Sequence, residues 1–451
     1  MGPNDLKGKL VAVLGFGQEG KATAKYLIQH GINPVLFDQK PWDEWPEEEK
    51  QHIKSLGLNF IFGPQAFLEL KGFDVAFRSP GIRLHDIQSL EIHNLALISQ
   101  TKYFFENCPA KIIGITGTKG KGTTAALIYE ILSASAQKKL TAKQSETAQN
   151  VYLTGNIGKV QPLDILDNLK SDDLVVYELS SFQLQDLDKS PHIAVVLMVT
   201  SEHLDYHKNL AEYHEAKSAI TRYQNHNDWA VVNSDYPASK EIGSLGKGKK
   251  IYFSGQDFSL LSHEKIQLRG KHNLENIQAA VKVSEIFNVD PEITKKVVSE
   301  FKGLEHRLEF VGQRHGIKFY DDSFSTTPET AIAAINSFSE PLVLVLGGSG
   351  KHSDFSLLGQ AISNAKNIRA LILVGEESQR IKSAISSFRG DGASPLMLEG
   401  AQNMREIFEK IKQSAHIGDA VVLSPACASF GMFNNYKDRG DQFKKYALSF
   451  E

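Results

Sequence analysis

Lys111-Ile-Ile-Gly-Ile-Thr-Gly-Thr-Lys-Gly-Lys-Gly-Thr-Thr124 is the stretch on which the reading of this chain turns. An apolar run of β character ends in a glycine-rich turn, and a helix-forming segment, Ala125 to Ala136, follows. A strand, a loop and a helix N-terminus in series point backbone N–H groups inward, where they cradle phosphate oxygens. Gly117, Gly120 and Gly122 allow the turns and a close approach to a ligand. Lys121 is placed to reach the β- and γ-phosphates, and a hydroxyl just after it to hold Mg2+. The spacing departs from the strict nucleotide-loop pattern. Five residues separate Gly114 from Gly120 instead of four, and Gly122 follows the lysine, with Thr123 and Thr124 next. The competing reading is a glycine-rich turn without a ligand. Two lysines and three glycines in one loop are costly to order without an anion, which favours the phosphate reading.

Upstream, Leu10-Val-Ala-Val-Leu-Gly-Phe-Gly-Gln-Glu-Gly20 is a strand followed by G-x-G-x-x-G. Lys21 to His30 reads as a helix and Pro34 to Asp38 as the next strand, with Asp38 at the dinucleotide-fingerprint distance. Alone, this says NAD-binding domain, but any nucleotide diphosphate suits such a turn. Strands follow at Asp74-Val-Ala-Phe and Leu95-Ala-Leu-Ile, with Ser79-Pro-Gly-Ile82 as a turn between them. Pro41 to Lys50 is acidic and Trp-containing, and reads as a solvated loop or helix.

Downstream, Gln137 to Asn150 is polar and aperiodic, and reads as a loop. Asp173-Leu-Val-Val-Tyr-Glu-Leu-Ser-Ser-Phe-Gln183 is a buried strand with a polar end. An α/β sheet puts metal ligands at such strand ends, so Glu178 is a Mg2+ candidate; the alternative is that Glu178 caps a helix starting at Ser180. Ile193 to Thr200 is another buried strand, ending in Ser201-Glu-His-Leu-Asp-Tyr-His207. Two histidines and two acids there suit metal binding or phosphate orientation. Tyr213-His-Glu-Ala-Lys217 continues as a helix on which Lys217 is either functional or a solvated charge. Asp228 to Asp235 is a strand, and Gly270 to Asn276 precedes a helix whose first turn suits a nucleotide base. From Gly303 a third unit shows strands at Ile317 to Ser323, Pro341 to Lys351, Ala370 to Gly375 and Ala420 to Pro425, alternating with helices. It reads as a parallel sheet covered on both faces.

At 451 residues the chain has room for several domains, each with its own core. A net charge of -3 gives no basis for a nucleic-acid surface. Cys108 and Cys427 are too few for a disulfide framework, which fits a reducing cytoplasm. The N-terminus has no apolar signal core, and no apolar run reaches the length of a membrane span.

Read together, Ser79 to Ile82, Thr116 to Lys121, Gly155-Asn-Ile-Gly158, Glu178 to Leu184, His203-Leu-Asp205, Tyr213 to Lys217, Gly303 to Arg307, Gly347-Gly-Ser-Gly-Lys351 and Leu423 to Ser429 resemble the Mur ligases. These are ATP-dependent amide-forming enzymes of peptidoglycan synthesis. The resemblance covers the whole chain and is strongest to the D-glutamate-adding branch. It implies a three-domain α/β architecture: a UDP-binding Rossmann-like domain over 1–109, a P-loop ATPase-like domain over 110–303 and an amino-acid-binding Rossmann-like domain over 304–451. It implies a cytoplasmic, monomeric enzyme acting on UDP-N-acetylmuramoyl-L-alanine and D-glutamate, with ATP and two Mg2+ ions and no nucleic acid or membrane.

The site residues follow by matching motifs. Lys121, Glu178, His203 and Lys217 are the expected catalytic group, with Lys217 carbamylated. Thr123, Glu178, His203 and Lys217 would hold metal. Gly117, Thr118, Lys119, Gly120, Lys121, Gly122, Thr123, Asn276, Arg307 and Asp322 would hold ATP. Gly17, Gln18, Glu19, Gln39, Ser79, Gly81, Asn156 and Ser180 would hold the UDP substrate, and Thr326, Lys351, Ser429 and Tyr436 the amino acid. Three positions depart from the family. Gly122 stands where Ser or Thr is usual; the Gly-Lys-Gly-Thr form resembles the related folylpolyglutamate synthases, where the hydroxyl sits one residue later, so the metal hydroxyl shifts to Thr123. Phe324 stands where a lysine is usual, and Tyr436 where a phenylalanine is usual. The rival readings are a folylpolyglutamate synthase, a ligase of different amino-acid specificity, an NAD-dependent oxidoreductase and a nucleotide sensor without catalysis. The oxidoreductase leaves the second phosphate loop and the Glu178 and His203 clusters unexplained.

Overall fold

A computed structural model describes residues 1–141, 149–157, 160–202, 206–262, 265–350, 353–388 and 395–451. The first sheet has strands β1 Val11–Leu14, β2 Val35–Asp38, β3 Phe60–Phe62, β4 Val75–Arg78 and β5 Ala96–Ser99. Its order is β3-β2-β1-β4-β5, all parallel. The second has β6 Lys111–Thr116, β7 Val151–Gly155, β8 Leu174–Glu178, β9 Ile193–Val196, β10 Trp229–Asn233 and β11 Lys249–Phe253. Its order is β11-β10-β9-β6-β8-β7, also all parallel. In both sheets the strand before a glycine turn (β1 or β6) lies where the chain reverses its direction of travel across the sheet. That is the position at which open α/β sheets bind ligands, beyond the strands' carboxyl ends.

The third sheet has β12 Glu309–Arg314, β13 Ile317–Asp321, β14 Leu342–Gly347, β15 Ile368–Val374, β16 Leu396–Ala401 and β17 Ala420–Leu423, in the order β12-β13-β17-β14-β15-β16. It is not purely parallel as expected: β12 pairs antiparallel with β13. The two are joined through His315 and Gly316, both at positive φ (48° and 76°), the two-residue geometry that matches the twist of a hairpin.

The chain forms two compact units, Met1–Phe258 with Glu275–Val297, and Ser259–Leu274 with Val298–Glu451. In the first unit one core cluster takes Val13, Phe77 and Tyr103 from the first sheet and its helix together with Ile112, Val175 and Tyr177 from the second. Tyr177 is fully buried and its hydroxyl pairs with Thr101 at 3.2 Å. Arg78, also buried, pairs with Asp186 at 3.3 Å. In the second unit, apolar side chains on the two faces of β14, β15 and β17 feed two separate clusters, as a sheet covered on both sides requires.

Two further local readings change. The segment from Gln137 is not a loop from the start: the helix after the phosphate loop runs Lys121–Thr141. Gln, Lys and Leu are good helix formers, so the helix outlasts its buried face. Pro41 to Lys50 is not simply solvated. Trp42 stacks on Phe60 at 4.5 Å and Trp45 lies 5.4 Å from Phe62, half-burying the edge strand β3. No helix among the described residues is long and apolar enough to cross a membrane.

Candidate active site

The phosphate loop leaves β6 at Thr116 and enters the helix at Lys121. Thr118 anchors it. Its amide donates to the Met198 carbonyl at 2.6 Å, its Oγ1 accepts from the Thr200 amide at 2.9 Å, and the same oxygen lies 3.1 Å from the Tyr213 hydroxyl. Gly120 takes φ 89°, and a Cβ there would run into the Asn276 side-chain oxygen. The loop therefore closes against Asn276 only because residue 120 has no side chain. Thr124 is fully buried and donates to Asn276 Oδ1 at 3.3 Å, while Thr123 on the same turn is partly exposed. Lys119 pairs with Glu202.

Two lysines converge on this loop. Lys121 Nζ donates to the carbonyls of Gly117 and Thr118, both at 3.0 Å. Lys217 Nζ donates to the same Gly117 carbonyl at 3.0 Å and to Thr116 Oγ1 at 3.2 Å. Lys217 is therefore no solvated charge. It is 1% exposed and lies 4.8 Å from the Tyr213 ring centroid. Burial pushes its ammonium well below the usual lysine range, and the Lys121 charge pushes the same way, against Glu202 and Glu178. A hundred residues of chain separate Lys217 from Thr116. They meet because β9, which leads toward the Lys217 helix, Leu210–Arg222, is the direct neighbour of β6.

Glu178 ends β8 and is 5% exposed. It is not a helix cap. Ser180 caps the helix Ser181–Leu184 in a reciprocal box with Gln183, which leaves the Glu178 carboxylate to other duties. Asn156 reaches that carboxylate, Nδ2 to Oε1 at 3.4 Å, and its amide donates to the Glu178 carbonyl at 3.2 Å. Gln183 connects this corner to the first sheet, donating to Glu19 Oε1 at 2.8 Å. Burial pushes the Glu19 carboxyl up to about 7, against Gln183 and Arg78.

Gly17 is the N-cap of the helix Gln18–Gln29, and Gln18 and Gln39 are exposed beside it. Ser79 Oγ donates to the Gly15 carbonyl at 3.0 Å and Gly81 is exposed. Asp38 turns both oxygens to backbone, accepting from the Phe16 amide at 2.8 Å and the Lys40 amide at 2.9 Å. It braces the glycine turn, and that use competes with the ribose contact an NAD site asks of it.

His203, Asp205, Gly158 and Lys351 lie outside the described residues. His207 is buried, stacks on Phe182 at 5.6 Å and meets Ser181 Oγ through Nε2 at 2.9 Å.

In the second unit, Asp322 follows β13 and accepts from Ser424 Oγ at 2.7 Å and the Leu308 amide at 3.1 Å. Burial pushes its carboxyl up to about 7, opposed by those hydrogen bonds and the Arg307 charge. The Arg307 guanidinium lies 4.1 Å from the Phe324 ring centroid. Tyr436 opens the helix Tyr436–Leu448 and meets Phe324 edge-on at 5.0 Å. Ser429 is buried next to the turn leading to that helix, and Thr326 is partly buried ahead of the helix Pro328–Ile335. Arg439 was not anticipated. It is 2% exposed and donates to the Ser323, Cys427 and Ala428 carbonyls, tying the turn after β13 to the turn after β17. Tyr213 also gained no role from sequence, although its place four residues before Lys217 puts both on one helix face.

Comparison with known proteins gives the family. Residues 115–284 match the Mur ligase middle domain, and residues 306–427 match the Mur ligase glutamate ligase domain. The UDP-N-acetylmuramoylalanine–D-glutamate ligase of Acetivibrio thermocellus is 34% identical over 99% of this chain and 97% of its own length. That of Clostridium perfringens is 34% identical over 98% and 96%. Among solved structures, the UDP-N-acetylmuramate–alanine ligase of Thermotoga maritima aligns over 98% of this chain and all of its own, with a TM-score of 0.59 at 16% identity. Folylpolyglutamate synthase of Mycobacterium tuberculosis aligns over 74% of this chain and 90% of its own, with a TM-score of 0.51 at 15% identity; both share the fold. By its full-length identity and its matched domains, the chain belongs to the UDP-N-acetylmuramoylalanine–D-glutamate ligase family of Mur ligases.

Proposed function

We infer that this protein is the ATP-dependent ligase that adds D-glutamate to UDP-N-acetylmuramoyl-L-alanine in peptidoglycan precursor synthesis. The observation that carries the chemistry is the convergence of Lys121 and the buried Lys217 on the Gly117 carbonyl. The substrate carboxylate attacks the γ-phosphate to give an acyl phosphate. The amine of D-glutamate then attacks the activated carbonyl, and phosphate leaves. Such a transfer needs positioning and charge neutralisation more than a covalent nucleophile.

The residues present suit ATP and Mg2+. Gly120 lets the phosphate loop close against Asn276, where any side chain would collide. Thr123 and Glu178 offer the oxygen ligands that Mg2+ prefers. Bound Mg2+ neutralises phosphate charge. Around it, Lys121 steadies the phosphates within the loop from Gly117 through Thr118, Lys119, Gly120 and Gly122 to Thr123. Lys217 acts as a carbamate. Its depressed basicity favours the neutral amine, which adds CO2 and releases a proton; the carbamate then supplies anionic oxygens in place of a repelling ammonium. Two Mg2+ ions, held through Thr123, Glu178, His203 and carbamylated Lys217, complete this reading.

Asn276, Arg307 and Asp322 serve the nucleotide. Gly17, Gln18, Glu19, Gln39, Ser79, Gly81, Asn156 and Ser180 serve the UDP substrate. Thr326, Lys351, Ser429 and Tyr436 serve D-glutamate. Domains over 1–109, 110–303 and 304–451 fit the three sheets, each of which falls within one range. The protein acts as a cytoplasmic monomer. The test is phosphate release from ATP with UDP-N-acetylmuramoyl-L-alanine and a panel of amino acids that includes both glutamate enantiomers. Release dependent on D-glutamate supports the reading, and turnover with another amino acid alone replaces it.

A further inference from the structure

Arg307 is held in an unusual way. The residues on both sides of it are left-handed without being glycine, His306 at φ 64° and Leu308 at φ 44°. Non-glycine residues adopt this region at a cost, and it persists only where the surroundings hold it. Here they do. His306 Nδ1 lies 2.7 Å from Asp321 Oδ2, and its amide donates to Glu309 Oε2 at 2.9 Å. The Leu308 amide donates to Asp322 Oδ1 at 3.1 Å, and the Phe324 amide to the His306 carbonyl at 3.0 Å. Three acidic side chains thus fix the turn that presents one arginine.

The guanidinium then lies over Phe324, which is 38% exposed and braced edge-on by Tyr436; Tyr436 is itself met edge-on by the His306 ring at 5.9 Å. A lysine at 324 would set a second cation against Arg307. An aromatic ring attracts the guanidinium instead and fixes its plane.

We propose that Phe324 is a positioning residue: a shelf that fixes the plane of the Arg307 guanidinium for its contact with the nucleotide. This rests on the reading of Arg307 as a nucleotide-binding residue. Stacking engages the flat face of a guanidinium and leaves its edge for hydrogen bonds, so one side chain serves both.

Steady-state kinetics of the full chain test this with Phe324→Leu, Phe324→Met, Phe324→Tyr, Arg307→Ala and the Arg307→Ala/Phe324→Leu pair. Phe324→Leu and Phe324→Met should each raise the KM for ATP roughly three- to tenfold, the range expected of one cation–π contact, and leave the KM for D-glutamate unchanged. Phe324→Tyr should restore most of the affinity, and the pair should behave as Arg307→Ala alone. An unchanged KM for ATP in Phe324→Met overturns the proposal, even where the leucine variant folds poorly. So does a rise confined to the KM for D-glutamate, or simple additivity in the pair. If Arg307→Ala itself leaves the KM for ATP unchanged, the underlying assignment of Arg307 fails and takes the proposal with it. If Arg307→Ala raises that KM and the Phe324 variants do not, only the shelf fails.

Discussion

Thr123 and Thr124 are adjacent, and the structure gives them different neighbours. Thr124 is fully buried and its hydroxyl donates to Asn276, whereas Thr123 is partly exposed on the first turn of the helix. Replacement by valine keeps the branched shape and removes only the hydroxyl. Thr124→Val should then cost about 0.5–1.5 kcal/mol of stability, the net worth of one hydrogen bond, and change the KM for Mg-ATP less than about threefold. Thr123→Val should leave stability within about 0.5 kcal/mol. It should weaken Mg-ATP by roughly 10- to 150-fold, the equivalent of about 1.5–3 kcal/mol for a polar contact to a charged group. Urea unfolding at fixed pH reads the first quantity and ATP-dependent phosphate release the second. Equal losses of Mg-ATP affinity in the two variants, or a loss confined to Thr124→Val, would refute the register assigned to this loop.

Other outcomes follow from the same site. Lys121→Ala should lower turnover on the order of 100- to 1000-fold, the scale of one lost transition-state contact, with an unchanged thermal midpoint; near-normal turnover contradicts its role. Activity should fall when CO2 is stripped from the buffer and return with bicarbonate, and Lys217→Ala should be rescued in part by a short-chain carboxylate. A labelled carbamate carbon seen by NMR after addition of 13C-bicarbonate checks this, and its absence from active enzyme counts against it. Asp322 has a folded-state pKa raised to about 7, so between about pH 4 and 7 the folded chain holds a proton that the unfolded chain has lost. Its contribution is present below about pH 4 and is lost as pH rises through 7. Asp322→Asn should flatten that part of the stability profile, as read by urea midpoints across the range.

The legible part of the fold is its interior. β8, β9, β14 and β17 are buried at every position, and continuous apolar runs such as Leu342 to Leu346 announce them. The strands that escaped sequence reading are β3, β7, β11, β12 and β16, and every one of them is a sheet edge. An edge strand has one neighbour and is part-exposed, so its apolar run is short or broken, as in Glu309–Arg314. The site divides similarly. Lys121 and Glu178 were visible because each ends a local strand-and-turn pattern. The Lys217 contact with Thr116 and Gly117 was not, since it depends on which strand lies beside β6. The left-handed turn around Arg307 was equally silent, because its acidic supports, Glu309, Asp321 and Asp322, become neighbours only when the β12–β13 hairpin forms.

The central claim is that a carboxylate is activated by phosphoryl transfer and then captured by the amine of glutamate. Isotope transfer tests it directly. UDP-N-acetylmuramoyl-L-alanine labelled with 18O in both carboxylate oxygens is incubated with the protein, ATP, Mg2+ and D-glutamate, and the products are weighed by mass spectrometry. The amide product should retain one labelled oxygen and the released phosphate should carry the other. Phosphate without label, alongside an amide product or without one, would contradict the account.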